Sequence, residues 1–68
     1  MEQGQTIGEK ILRMRNVNNI SQAQLAEKVF TSQQMINAIE HNASKPSVDL
    51  ALRIADVFGI TLDELCRK

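Results

Sequence analysis

Cysteine, proline and aromatic residues are nearly absent from this sequence. One Cys, one Pro, two Phe and neither Trp nor Tyr stand in 68 residues. The single cysteine, Cys66, excludes an internal disulfide. One Cys and one His fall short of the four ligands of a structural zinc site, so no metal is expected, and no cofactor. A lone Cys also suits a reducing interior better than a secreted scaffold. Two aromatics, Phe30 and Phe58, are too few for recognition of RNA or single strands by base stacking. No apolar run approaches the roughly 20 residues of a membrane span. The start, "MEQGQTIGEK", has neither the basic opening nor the apolar stretch of a signal peptide. A cytoplasmic protein without membrane contact is expected.

Excess charge of either sign is also lacking. Eight Lys+Arg oppose eight Asp+Glu. Affinity for duplex DNA draws largely on phosphate neutralisation, and DNA-binding domains tend to be basic. Bulk charge will not hold this chain to a partner. Residues 1–68 read as a single small domain. Such a domain buries only about 60% of the surface its unfolded chain exposes, and small scaffolds usually need a staple or a partner. With no disulfide or metal, compact helix packing and self-association remain.

What the sequence has in quantity is helix caps. Thr6-x-x-Glu9 is a capping box that opens a first helix, with Ile7, Ile11 and Leu12 as its inner face. "NVNN" ends it, because asparagine is poor inside helices and good in turns. Ser21-x-x-Gln24 is a second capping box, and Ile20 is placed to pack on Leu25 as a hydrophobic staple. The helix "QAQLAEKV" turns Leu25, Ala26 and Val29 inward. Ser32 caps a third helix, "QQMINAIE", with Ile36 and Ile39 inside. "HNASKP" is a loop, in which Asn42 suits a left-handed helix end and Pro46 blocks continuation. Ser47 caps "VDLALRIADVF", where Leu50, Ile54 and Val57/Phe58 recur at helical spacing and Gly59 is the stop. Thr61-x-x-Glu64 opens a final stub. Its Leu62/Leu65 edge either closes the core or meets a second copy. No strand pattern, internal repeat or linker is present. The expected fold is all-α, a bundle of five short helices.

The central pair, "SQAQLAEKVFTSQQMINAIE", is two helices joined by a short turn, the helix-turn-helix pattern. Ala26 lies where the helices would cross, and a small side chain lets their backbones approach. With Ile36 and Ile39 inside, steps of about 100° per residue leave Gln34, Asn37 and Ala38 outside, flanked by Gln33. Amide side chains donate and accept at once and pair bidentately with the N6/N7 edge of adenine. Residues at the start of the second helix reach base edges in this motif. Gln33, Gln34 and Asn37 are therefore candidates for base readout. Ala38, or the methyl of Thr31, is placed to meet a thymine methyl. Gln22 and Ser32 sit at helix starts, where outward N–H groups favour a phosphate. Asn42, Ser44 and Lys45 share the loop after the third helix and are further candidates for phosphate contact. Each feature has a plainer reading beside it: the amides as a solvated face, Ser32 as a cap, Lys45 and His41 as surface, Met35 as cover for the core edge.

These segments, followed by "KPSVDLALRIADVFGITLDEL", resemble the Cro/C1-type (XRE-like) helix-turn-helix family, which includes the lambdoid phage repressors. The resemblance runs from about Thr6 to Leu65. It implies a lambda-repressor-like bundle, an operator in double-stranded DNA as partner, and a homodimer through the C-terminal region (Leu62, Leu65). It also implies that Gln22 grips a phosphate, that Gln33 and Gln34 read bases, and that Arg15 and Glu40 form a structural ion pair. Three positions depart from the family pattern. Phe30 stands in the turn where Gly or a small polar residue is usual. Thr31 replaces an apolar residue, and Asn42 replaces a Gly. Either the turn differs, or Phe30 accepts a left-handed backbone while its ring covers the core edge.

The expectation is a sequence-specific transcriptional regulator, a dimeric repressor reading a palindromic operator through the major groove. The alternatives are an antitoxin or a protein-interaction module on the same scaffold. No nucleophile–base pair or phosphate-cradling glycine loop points to an enzyme, and no small-molecule ligand is expected.

Overall fold

A computed structural model describes residues 6–66 and, among them, five helices and no strand. They are α1 (Ile7–Val17), α2 (Gln22–Lys28), α3 (Gln33–Glu40), α4 (Val48–Phe58) and α5 (Leu62–Cys66). The expected all-α class and helix order are observed.

Local sequence starts each helix. The Thr6 hydroxyl accepts from the Glu9 N–H at 3.1 Å, and the Glu9 carboxylate accepts from the Thr6 N–H at 3.0 Å. Ser21 with Gln24 repeats the box at 3.0 and 2.8 Å. Thr61 with Glu64 does so at 3.0 and 2.9 Å. Ser32 and Ser47 each accept from the third N–H of their helix at 3.1 Å. A cap of this kind stabilises by about 1 kcal/mol, against a total of roughly 5 kcal/mol for a small domain.

The helices also end alike. After α1, α2, α3 and α4 stands a residue with φ between 56° and 70°: Asn19, Phe30, Asn42 and Gly59. In each case the next residue's N–H reaches back five positions, as Ile20 to Arg15 O at 3.0 Å, Thr31 to Ala26 O at 2.9 Å, Ala43 to Ala38 O at 2.8 Å and Ile60 to Ala55 O at 3.0 Å. This is the Schellman closure, which satisfies carbonyls the helix leaves open. Asparagine and glycine tolerate the left-handed backbone; phenylalanine does so at a cost. The turn at Phe30 therefore keeps the shape a glycine would give it.

Ile11, Leu25, Val29, Ile36, Ile39, Ile54 and Leu65 are fully buried, and Ala26, Ala51 and Ala55 nearly so. Burying each large aliphatic side chain is worth roughly 1.5–3 kcal/mol. Ala26 is buried, and its carbonyl receives the turn's closing bond from Thr31. Ile7, Ile20, Phe58 and Ile60, each partly buried, pack against this core. Lys10 Nζ donates to the Glu64 carbonyl at 2.8 Å and ties α1 to α5.

Three expectations need correction. Leu12 is exposed, and Met14 takes its place on the inner face of α1. Ile7, Ile11 and Met14 lie within about 60° of arc, whereas Leu12 lies about 100° from Ile11. The Phe30 ring does not cover the core; it is 82% exposed and lies 6.0 Å under the Arg53 guanidinium. Leu65 is wholly buried by its own chain and offers nothing to a second copy. Gly8 is a requirement that sequence reading missed. A Cβ there would stand 2.2 Å from the Ile39 carbonyl oxygen, so α1 crosses α3 only with a glycine at the contact.

Candidate nucleic-acid interface

α3 is divided by burial. Ile36 and Ile39 are fully buried on one side, while Gln33, Gln34 and Asn37 are exposed on the other, with Ala38 half-buried. The inner pair wedges the helix against α1 and α2 and thereby aims the amides outward. Gln33, Gln34, Asn37 and Ala38 line one shallow groove of about 520 Å³. It is completed by His41 and Ala43, which sequence reading did not place there. Four of the five expected readout residues thus come together. The fifth, Thr31, is half-buried in the turn.

A polar chain supports this face from behind. Glu40 is buried at the end of α3. Its carboxylate takes Arg15 Nε at 2.7 Å and Nη2 at 3.2 Å. Arg15 also donates to the Ile20 carbonyl at 2.9 Å, which ties down the end of α1. This is the ion pair the family resemblance implies. Glu40 further accepts from Gln22 Nε2 at 2.9 Å, and Gln22 Oε1 accepts from Gln33 Nε2 at 3.5 Å. A buried carboxylate thus orients the first residue of α2, which in turn touches the first residue of α3. An amide nitrogen carries two hydrogens, so Gln22 Nε2 keeps one beyond its bond to Glu40. Among the described residues no buried side-chain nitrogen or oxygen lacks a hydrogen-bond partner.

The other phosphate candidates stand apart. Ser32 is exposed with its hydroxyl engaged as the α3 cap. Asn42, Ser44 and Lys45 line a second groove of about 650 Å³, whose walls are Ile7, Val48, Ala51 and Leu62, with Cys66 exposed at its edge. The Asn42 side chain folds back toward Gly8. The loop residues therefore face a different part of the surface from the readout row. Val48 and Leu52, one turn apart on α4, are 69% and 49% exposed, an apolar pair outside the expected C-terminal edge. Among the described residues there is no cluster of groups that could hold a metal ion, and no helix is long and apolar enough to cross a membrane.

Two short helices closed at a left-handed turn, the second held by its apolar side and presenting amides, define a helix-turn-helix domain. The chain belongs to the Cro/C1-type helix-turn-helix family of transcriptional regulators; the helix-turn-helix family profile matches residues 11–65. It is 38% identical over 56 residues to an uncharacterized HTH-type transcriptional regulator of Methanocaldococcus jannaschii, covering 82% of this chain and 85% of that protein. It is 37% identical over 54 residues to the HTH-type transcriptional regulator RamB of Mycobacterium tuberculosis, covering 79% of this chain but 11% of RamB. Among solved structures it is similar to the P22 c2 repressor in complex with a synthetic operator, with a TM-score of 0.89, 26% identity, and coverage of 94% of this chain and 97% of that one.

Proposed function

We propose that this chain is a sequence-specific duplex-DNA-binding repressor that works as a homodimer in the cytoplasm. The observation that carries the reading is the exposed amide row of Gln33, Gln34 and Asn37 on a helix whose opposite side is fully buried. Such a row fits the donor–acceptor pattern of base edges in the major groove. The P22 c2 repressor, on the same fold, is seen with its operator. With zero formal charge, positioning falls to neutral donors, Gln22 foremost, as phosphate contacts need not be ionic. Two recognition helices on one duplex would stand about 34–36 Å apart, which makes the operator a rough palindrome. The second copy fits best on the exposed Val48 and Leu52 of α4, with Leu62 lining the same groove as Val48, and not on the buried Leu65. A dimer seated on the operator would repress by blocking access to the promoter.

The test is selection of duplexes from a random library by the purified protein, followed by titration against salt. A recovered palindrome, bound with an affinity that falls steeply as salt rises, supports the reading. Recovery of no motif would return the chain to the class of protein-interaction modules.

A further inference from the structure

No Lys, Arg, Asp or Glu lines the readout groove. Its walls are Gln33, Gln34, Asn37, Ala38, His41 and Ala43. Arg15 is held on Glu40, Arg53 pairs with Asp49, and Lys45 lines the second groove. This selection of side chains has a chemical consequence. In the major groove Arg and Lys match guanine, and Asp and Glu match the cytosine amino group. Asn and Gln match adenine, and apolar groups meet the thymine methyl. The groove holds only these last two kinds beside one imidazole, whose Nδ1 lies 2.8 Å from the Asn37 carbonyl oxygen.

Two alanine methyl groups make the apolar part of the groove. Ala38 is half-buried on α3, and Ala43 is exposed in the loop that follows. The chain folds back between them: the Ala43 and Ser44 N–H groups both donate to the Ala38 carbonyl, at 2.8 and 3.3 Å. His41 N–H is bonded to the Asn37 carbonyl and Asn42 N–H to the Ile39 carbonyl, each at 3.0 Å. From His41 to Ser44, therefore, no backbone N–H is left for a base edge. A methyl floor without donors tells bases apart only by apolar contact.

Among the four bases only thymine carries a methyl group on its major-groove edge. The amides supply the other half of the same pair. Gln34 lies one turn before Ala38, within about 40° of arc, so an amide and a methyl address neighbouring edges. We infer that the contacted core of the operator half-site is built of A·T pairs, with the 5-methyl group of a thymine seated on Ala38 and Ala43. The inference rests on the DNA-binding reading above and names the bases that reading leaves open.

The test uses the duplex recovered by selection, with each thymine of the half-site replaced in turn by uracil. Uracil keeps every donor and acceptor and lacks only the methyl. Affinity is read by fluorescence anisotropy at fixed salt. At one position the parent should lose about fourfold per half-site, the worth of one buried apolar carbon. Ala43→Gly removes one methyl of the floor outside any helix, and Ala38→Gly removes the other. In each variant the preference for thymine over uracil should shrink, a coupling that a merely structural role would not produce. A duplex with 5-methylcytosine opposite guanine at that position keeps the methyl and loses the adenine, so it should bind more weakly than the thymine duplex. Equal binding of those two duplexes would overturn the A·T assignment. So would equal affinity for uracil and thymine at every position, a recovered half-site of G·C pairs, or an undiminished thymine preference in both variants at matched helicity. Each of these leaves the DNA reading intact. Failure to bind any duplex would overturn both.

Discussion

Glu40 accepts a hydrogen bond from Gln22 at 2.9 Å while the same carboxylate holds Arg15 at 2.7 Å. One buried group thus fastens α1 to α3 and orients the side chain that opens α2. On the proposed function, stability and DNA binding are therefore coupled at a residue only 6% exposed. Removing one partner of a buried ion pair costs about 3–5 kcal/mol. Glu40→Gln is expected near the lower figure, because its carbonyl still accepts from Arg15. Urea unfolding should show that loss. DNA affinity, measured where the variant remains folded, should also fall, since Gln22 and Gln33 lose their fixed support. Unchanged affinity in a destabilised variant would confine Glu40 to the fold.

Gln33 and Gln34 carry the base preference if the proposed function is right. Each is exposed and lines the groove, so alanine at either should leave the fold within about 0.5 kcal/mol of the parent. The loss should appear in binding: about 1–3 kcal/mol per half-site, with relaxed preference at one base position. Gln22→Ala should instead weaken binding to all sequences alike. Binding profiles across an operator library separate the two patterns. A Gln33→Ala profile identical to the parent's would remove that residue from the readout.

What sequence reading recovered here is what local chemistry decides. Both halves of every capping box lie within four residues, so Thr6 with Glu9 or Ser21 with Gln24 can be read without knowing the fold. The outward face of α3 follows from Ile36 and Ile39 alone, because two fixed inner positions set the rest. Errors occur where a distant element decides. Leu12 is the exception, because helical spacing from Ile7 and Ile11 already favours Met14 over Leu12. Gly8 is needed because the Ile39 carbonyl passes 2.2 Å from where its Cβ would be, a crossing no local pattern announces. His41 looks like plain surface until the folded chain shows it lining the groove with Ala43. Leu65 has the pattern of an interface residue and the burial of a core residue.

The proposed dimer has a specific test on α4. Val48 is 69% exposed at the first position of the helix. An aspartate there is favourable to the helix, since negative charge in the first turn complements the N–H end. Val48→Asp should therefore fold as well as the parent. If α4 meets a second copy, two such carboxylates would be brought together and desolvated. Sedimentation should then show a monomer at concentrations where the parent is dimeric, and operator affinity should fall with it. An unaltered sedimentation mass would move the interface elsewhere.

Phe30 sets two opposing terms against each other at one residue. Its φ of 61° is the left-handed backbone, which costs a residue with a Cβ roughly 1–2 kcal/mol. Its ring is 82% exposed and buries little apolar surface in return. The compensating contact is Arg53, whose guanidinium lies 6.0 Å from the ring centroid while also pairing with Asp49 and donating to the Val29 carbonyl at 3.5 Å. At that distance and exposure a cation–π contact is worth about 0.5 kcal/mol, less than the strain. The chain meets the same backbone demand with asparagine at Asn19 and Asn42. Phe30→Asn should therefore stabilise the domain by about 0.5–1.5 kcal/mol, the difference of the two terms, without the added unfolded-state entropy of a glycine. The turn's closing bond from Thr31 to Ala26 does not involve the ring, so α3 should keep its direction and DNA affinity should hold. A lower unfolding midpoint would mean that the Arg53 contact outweighs the strain. A preserved midpoint with lost DNA affinity would mean that the ring itself touches the duplex.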